Sequence, residues 1–471
     1  MTSSSTASLF LRSAAAAGLS QGLRMVVTFA AMLYLRRAIP AADWGLFAWA
    51  WVVFLILGAV RDLGLAYHVM RLSPRPWGNV LRLELYWGAA LSLLVFWGAP
   101  AIAALQVDPH PALAGVLRLF ALYLFFEGLA AVPRFYFDAE LQVGRTLGPE
   151  LLRNLLFAAL ALPLAFAGYG IWSLAIAQVA AAGAYAAALW IRAWPSIPLL
   201  HQPGRTLALL YGGLPLAAIW LLMILTRWLD PLVLGLRFPL DTIGNFTFAL
   251  EWATLVLAQI LVPALGRALY PALVAYAADA DALFRVLGLT TLAVMAIEVP
   301  LAFFLALNAE WVVLLVGGGQ WTLAPAFLAI LALSPLFDPF GLFGGELLKA
   351  RHLDRLWMIS CGATVLAFAV GGYLLTGWLG PLGMALVHFA PLGAIPMAWG
   401  LWRVAPVAFA RLAKDLGFVY LAAAPGFALV WLLAPPEPAW RVGGSLLAAV
   451  LALGLSAWRF GGEMRLFYRA G

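Results

Sequence analysis

Apolar runs long enough to cross a bilayer follow one another along this chain with little between them. A hydrocarbon core of about 30 Å takes about 20 residues of α-helix, and a backbone surrounded by lipid must satisfy its own hydrogen bonds, so each run predicts a helix. Fourteen fit: 14–35, 45–66, 83–105, 112–132, 147–167, 170–191, 207–228, 242–264, 286–307, 321–346, 356–377, 380–402, 416–434 and 440–458. The Ala-rich start at Ala14 to Ala17 is read as a retained first helix and not a cleaved leader. Arg24 interrupts it, and no A-x-A-like cleavage site follows closely.

The polar positions between the runs carry a sidedness. With the N-terminus inside, the cytoplasmic turns and tails hold Arg12, Arg71, Arg75, Arg145, Arg192, Arg205, Lys349, Arg351, Arg403, Lys414, Arg465, Arg469 and most other cations. The opposite side holds only Arg36, Arg37, Arg237 and Arg441. Cytoplasmic loops of membrane proteins collect Lys and Arg, so this asymmetry predicts an even number of spans with both termini cytoplasmic. The outer turns, 106–111, 168–170, 378–380 and 435–439, are too short for an extramembrane domain.

Composition narrows the class further. Hydrophobic residues make up 65% of the 471 positions and charged ones 10%. That balance excludes a soluble enzyme, a disordered chain, a fibrous protein and, because it extends throughout, a single-span anchor. The excess of 28 Lys and Arg over 21 Asp and Glu reports membrane orientation, not nucleic-acid binding. The lone Cys361 permits no internal disulfide.

The Pro-rich, basic stretch 192–206 reads as a linker. The expected fold is therefore all-α and polytopic. It has an N-terminal lobe (1–200, helices 1–6), a C-terminal lobe (201–403, helices 7–12), and an added helix pair with a basic cytoplasmic tail (404–471). The lobes share a short pattern at the entry to their second helices. Pro40, Gly45, Phe47 and Ala50 match Pro239, Gly244, Phe246 and Ala249 at one constant offset. Internal repeats of this kind are a common plan for secondary transporters, with substrate bound at the repeat interface.

Residues 35–65, LRRAIPAADWGLFAWAWVVFLILGAVRDLGL, resemble the first-hairpin signature of the polysaccharide transporter family. This is the O-antigen and exopolysaccharide flippase branch of the multidrug/oligosaccharidyl-lipid/polysaccharide flippase superfamily. Residues 227–255 resemble the same family's Asp near the end of span seven followed by a Gly-aromatic entry to span eight. The resemblance extends over about residues 10–400. It implies twelve to fourteen helices in the bacterial inner membrane, and export of undecaprenyl-diphosphate-linked oligosaccharides from inner to outer leaflet by alternating access. It further implies no catalytic residues and no cofactor. The implied partners are a lipid-linked oligosaccharide, membrane lipids, and transient contacts with a polysaccharide polymerase and glycosyltransferases.

Charges inside spans are costly and mark functional candidates. Ser13, Ser20, Gln21, Arg24 and Thr28 form one polar stripe on the first helix. Arg24, with Gln21, Thr28 and Arg227, is the candidate lining of a cationic cavity, where a guanidinium grips phosphate bidentately. A carbonyl or acid from a neighbouring helix capping Arg24 is the structural alternative. Glu251, Glu298, Asp338 and Asp230 are candidates for coupling transport to H⁺ or Na⁺. They also read as neutral packing groups or counter-ions, and Arg227 and Asp230, three apart, as a local pair. Arg61 and Asp62 read as snorkelling at the cytoplasmic end of span two. Arg118 and Glu127 fall on opposite faces, and His388 reads as a core residue or a proton relay. Pro215, Pro263, Pro300, Pro335, Pro339, Pro391 and Pro396 interrupt spans.

No P-loop, H-E-x-x-H or Cys/His cluster occurs, so neither ATP hydrolysis by that route nor a metal site is expected. The competing functions are a lipid II or multidrug exporter of the same superfamily and, from another class, a membrane glycosyltransferase or O-antigen polymerase. The short outer turns disfavour the last.

Overall fold

In a computed structural model, the described residues run from 31 to 470. They omit 256–268, most of 270–278, parts of 71–74, 141–143 and 195–203, and single positions at 109, 338, 342, 352, 391 and 436. Side chains are described as far as residue 460. All regular structure among them is helical. Among the described residues ten helices are long and apolar enough to span a membrane. The chain is an all-α, multi-pass membrane protein, and it divides into two compact units, Met1–Gly244 and Asn245–Gly471.

In the first unit, residues 31–38 are helical. There follow α1 (Ala41–Asp62), α2 (Leu65–Met70), α3 (Trp77–Ala103), α4 (Leu113–Ala139), α5 (Gly144–Phe166), α6 (Ile171–Ala193), α7 (Arg205–Trp228) and α8 (Asp230–Gly235), before α9 (Leu240–Ala253) begins. α4 is the central element, packing on α1, α3 and α6, and it is the most buried of the spans. Its Phe120 and Tyr123 interlock with Phe47, Trp51 and Phe54 of α1. Its Phe135 and Phe137 join Trp77, Tyr185 and Leu189 in a second cluster. By contrast α3 leaves Tyr86, Leu93, Leu94 and Trp97 exposed, as a helix facing acyl chains does, because lipid is as apolar as a protein core.

Helix ends are set by both distant and local contacts. Asp43 accepts from the amide of Ile171 at 2.8 Å, capping α6 from another helix. α1 stops where Leu63 and Gly64 both turn left-handed. Pro40 and Pro239, the first members of the two matched patterns, directly precede α1 and α9. Each pattern's Phe then packs edge-on to another Phe, Phe47 on Phe120 and Phe246 on Phe327. The two matched glycines meet: a Cβ on Gly45 would lie 1.7 Å from the Leu240 carbonyl oxygen, and one on Gly244 1.9 Å from that of Ala41. Only a residue without a side chain permits that approach.

In the second unit α9 continues. It is followed by α10 (Ala280–Leu307), α11 (Ala309–Gly317), α12 (Ala324–Leu331), a 3₁₀ turn (Ser334–Phe337) and α13 (Gly344–Ala350). Next come α14 (Asp354–Leu366), a π-helical segment (Ala367–Gly371), α15 (Gly372–Leu379), α16 (Leu382–Val387), α17 (Ala394–Val404), α18 (Pro406–Leu433) and α19 (Pro438–Ala470). α10 packs on α18 and α19 through Leu292, Met295, Val299, Leu416, Phe427 and Ala448.

Two expected spans are not continuous. The run 321–346 breaks into α12, the 3₁₀ turn and α13. Pro335 cannot donate to the Leu331 carbonyl four residues back, and the Ser334 hydroxyl takes that acceptor at 2.8 Å. The run 380–402 breaks into α16 and α17, where His388, Phe389 and Ala390 bond back three residues instead of four. The expected first and eighth spans run into residues outside those described.

Candidate functional site

Within the first unit the polar side chains of five helices join into one network, buried at Arg61 and Glu84 and partly buried elsewhere. Arg61, at the end of α1, pairs with Glu84 on α3; their side chains are 6% and 1% exposed. This corrects the expectation that Arg61 snorkels to the interface. Gly128 of α4 leaves the room, since a Cβ there would stand 3.2 Å from Arg61 Nη1 and 3.5 Å from Glu84 Oε2. Asp62 lies within electrostatic reach of both Arg61 and Arg134. Arg134 of α4 in turn lies within reach of Glu127 and Asp138.

The network continues through Glu127, which pairs with Arg153 of α5 at 2.8 Å. Arg153 also donates to the Tyr123 hydroxyl, which receives a second donor, Gln178 of α6, at 3.2 Å. The Arg153 guanidinium stands over the rings of Tyr123 and Tyr185, 5.6 and 5.3 Å from their centroids. Arg61, Arg134 and Arg153 are thus interleaved with Asp62, Glu84 and Glu127. Charges removed from water persist when paired in this way. Arg118, on the other face of α4, stands over Phe96 instead, as the helical phase of Arg118 and Glu127 predicts.

In the second unit the irregular segments converge. Phe337 of the 3₁₀ turn packs edge-on against Phe389 in the break between α16 and α17. Phe368 of the π segment lies 4.6 Å from the His388 ring, between centroids. Ser360 of α14 donates to the Gly393 carbonyl, and Tyr420 of α18 to the Leu336 carbonyl at 2.6 Å. Side-chain hydroxyls thus bond backbone carbonyls beside both breaks. Asn245 accepts from the amides of Leu323 and Ala324, both at 3.0 Å, fixing the start of α12. Such interrupted helices are where transporters build substrate and ion sites.

The sequence candidates are placed unequally. Gln21, Arg24, Thr28 and Asp338 lie outside the described residues. Arg227 closes α7, exposed, with its guanidinium 6.0 Å from the Trp228 ring centroid. Asp230 opens α8 and is 1% exposed. A helix break at Leu229 therefore puts Arg227 and Asp230 on different helices. Glu251 is exposed on α9, whereas Glu298 is 1% exposed in mid-α10. The Arg61, Glu84 and Arg153 network was not among the candidates; Glu84, an acid at the start of the run 83–105 and two residues after Arg82, was the available signal. Among the described residues no three His, Cys, Asp or Glu side chains gather as a metal site would require.

The family model for polysaccharide biosynthesis proteins matches residues 34–325. No curated protein matches the chain. In fold the chain is similar to the lipid II flippase MurJ in an inward closed conformation, with TM-score 0.77 and 12% identity over 95% of this chain and 99% of that one. It is also similar to an inward-facing multidrug resistance MATE family transporter of the MOP superfamily, with TM-score 0.62 and 14% identity over 83% and 96%. A MOP superfamily transporter from Pyrococcus furiosus gives TM-score 0.56 and 14% identity over 82% and 93%.

Proposed function

The chain belongs to the polysaccharide biosynthesis protein family, and from that premise we propose that it is a flippase, not an enzyme. Its substrate is an undecaprenyl-diphosphate-linked oligosaccharide, carried from the inner to the outer leaflet of a bacterial inner membrane by alternating access. The supporting observation is the family match over residues 34–325 on a chain with a transporter's fold.

The physical task fits the residues. The polyprenyl tail stays in lipid while the sugar diphosphate crosses. Arg24 grips the diphosphate, with Gln21 and Thr28 on the same stripe, and Arg227 adds a second cation. A guanidinium's planar fork matches phosphate oxygens in a way an ammonium does not. Binding of H⁺ or Na⁺ to one of Asp230, Glu251, Glu298 and Asp338 resets the empty carrier. Glycosyltransferases and a polymerase meet it transiently, the first as supplier and the second as consumer of the glycan.

The test is transport in proteoliposomes loaded with a fluorescent undecaprenyl-diphosphate oligosaccharide, read by quenching from outside. Wild type is expected to expose the label. Arg24→Ala is expected to insert normally and lose export, with Arg24→Lys recovering part of it. Full export by a well-inserted Arg24→Ala protein overturns the assignment. Faster export of lipid II in the same vesicles replaces the substrate.

A further inference from the structure

Glu298 differs from the acids of the first unit's paired network. Glu84 and Glu127 each face an arginine. Glu298 is 1% exposed, and its Oε2 has no hydrogen-bond partner. Its neighbours along α10, Val294, Met295, Val299 and Ala302, are buried apolar residues.

The elements packed on α10 are α11, α12, the 3₁₀ turn, α13, α18 and α19. Their described charged groups are Glu310 on α11, Glu346 and Lys349 on α13, Arg411, Lys414 and Asp415 on α18, and Arg441 and Arg459 on α19. Lys349 pairs with Glu346 at 2.7 Å and Arg459 with Asp415 at 3.5 Å. α12 and the 3₁₀ turn carry none. On α10 itself Asp281 and Arg285 stand at least 13 residues away, about 20 Å along the helix. Among the described residues no charged side chain comes within electrostatic reach of Glu298.

An ionised carboxylate in such surroundings is uncompensated, at a cost far above that of binding one proton. A hard metal cation gathers several oxygen ligands, and among the described residues no group of three or more acidic, His or Cys side chains gathers to supply them. We propose that Glu298 is the coupling site of this transporter and that its ligand is a proton. The carboxylate takes one H⁺ from water when α10 is hydrated, forming an O–H bond. It holds that proton as a neutral acid in the conformation described here and returns it to water on the opposite side. The inference rests on the flippase reading for its coupling role; the proton site itself does not depend on which substrate is carried.

The experiment uses full-length protein in lipid nanodiscs and, in parallel, in proteoliposomes. Infrared spectra at neutral pH are expected to show a protonated-carboxyl C=O band that Glu298→Gln removes and Glu298→Asp shifts. In the vesicles, Glu298→Gln is expected to flatten the pH dependence of export while Glu298→Asp keeps it. A band unchanged by Glu298→Gln overturns the site. A band that disappears while the pH dependence survives overturns the coupling role. No export by wild type, with the band still assigned to Glu298, rejects the flippase reading and leaves the proton site standing. If Glu298→Gln fails to insert, the Glu298→Asp band shift alone decides.

Discussion

At the scale of single residues, the Arg61 and Glu84 pair is the clearest case of a charge kept in the membrane by its partner. Removing one member leaves the other buried and uncompensated, which in proteins costs about 3–5 kcal/mol. Glu84→Ala is therefore expected to lower the unfolding free energy in detergent by that order. The double variant Arg61→Met, Glu84→Leu is expected to recover most of the loss, because a buried pair replaced by apolar groups of similar volume is close to neutral. Denaturant unfolding followed by tryptophan fluorescence reads both, and equal losses in the single and double variants would show that the pair is not the source. Single acids such as Glu298 were legible as candidates from the chain alone, since a charge in an apolar run is costly, but the chain left coupling, neutral packing and counter-ion roles open. The pairing of Arg61 with Glu84 was not legible, because it depends on how α1 and α3 are rotated against each other. Neither helix's own periodicity records that rotation.

Among the elements, lipid makes the helices easy to foresee and their interruptions harder. A spanning run can only be helix, so the six spans of the first unit, α1 and α3 to α7, fall within a few residues of the apolar runs that predict them. The breaks at 332–343 and 388–393 were signalled by Pro335, Pro339 and Pro391. A proline marks only a lost donor; whether the chain kinks or unwinds depends on what else satisfies the freed carbonyl. Ser334 does so in the first break, and Ser360 supports the second from another helix. The meeting of Gly45 with Leu240 and Gly244 is the element-scale feature most sensitive to substitution. Gly45→Ala is expected to reduce the folded, monodisperse yield on size exclusion, because backbone at 1.7 and 2.8 Å cannot turn aside. Gly58→Ala on the same helix meets nothing within 4 Å. It is expected to be neutral or to stabilise by up to about 1 kcal/mol, the usual gain of Ala over Gly in a helix. Similar behaviour of the two variants would remove the crossing as a constraint.

For the whole molecule, the flippase reading and the proton site together fix how charge moves across the membrane. An exported diphosphate carries about two negative charges outward. A proton released inward from Glu298 carries one positive charge the other way, so both movements transfer charge in the same electrical sense. An inside-negative potential therefore drives about three charges per cycle, each gaining about 2.3 kcal/mol per 100 mV, or about 7 kcal/mol in all. Paired internal charges such as Arg61 with Glu84 and Arg153 with Glu127 add little if each pair moves as a unit. Glu298→Gln cannot carry the proton and is expected to leave two charges, about 4–5 kcal/mol per 100 mV. The measurement is the outer-to-inner ratio of labelled substrate at steady state, taken against a potassium diffusion potential set with valinomycin. Wild type is expected to show a slope against potential about one and a half times that of Glu298→Gln. Equal slopes would mean that the proton on residue 298 does not cross with the cycle. A ratio indifferent to potential in both proteins would mean that the exported group carries no net charge, and the diphosphate would then be the wrong substrate.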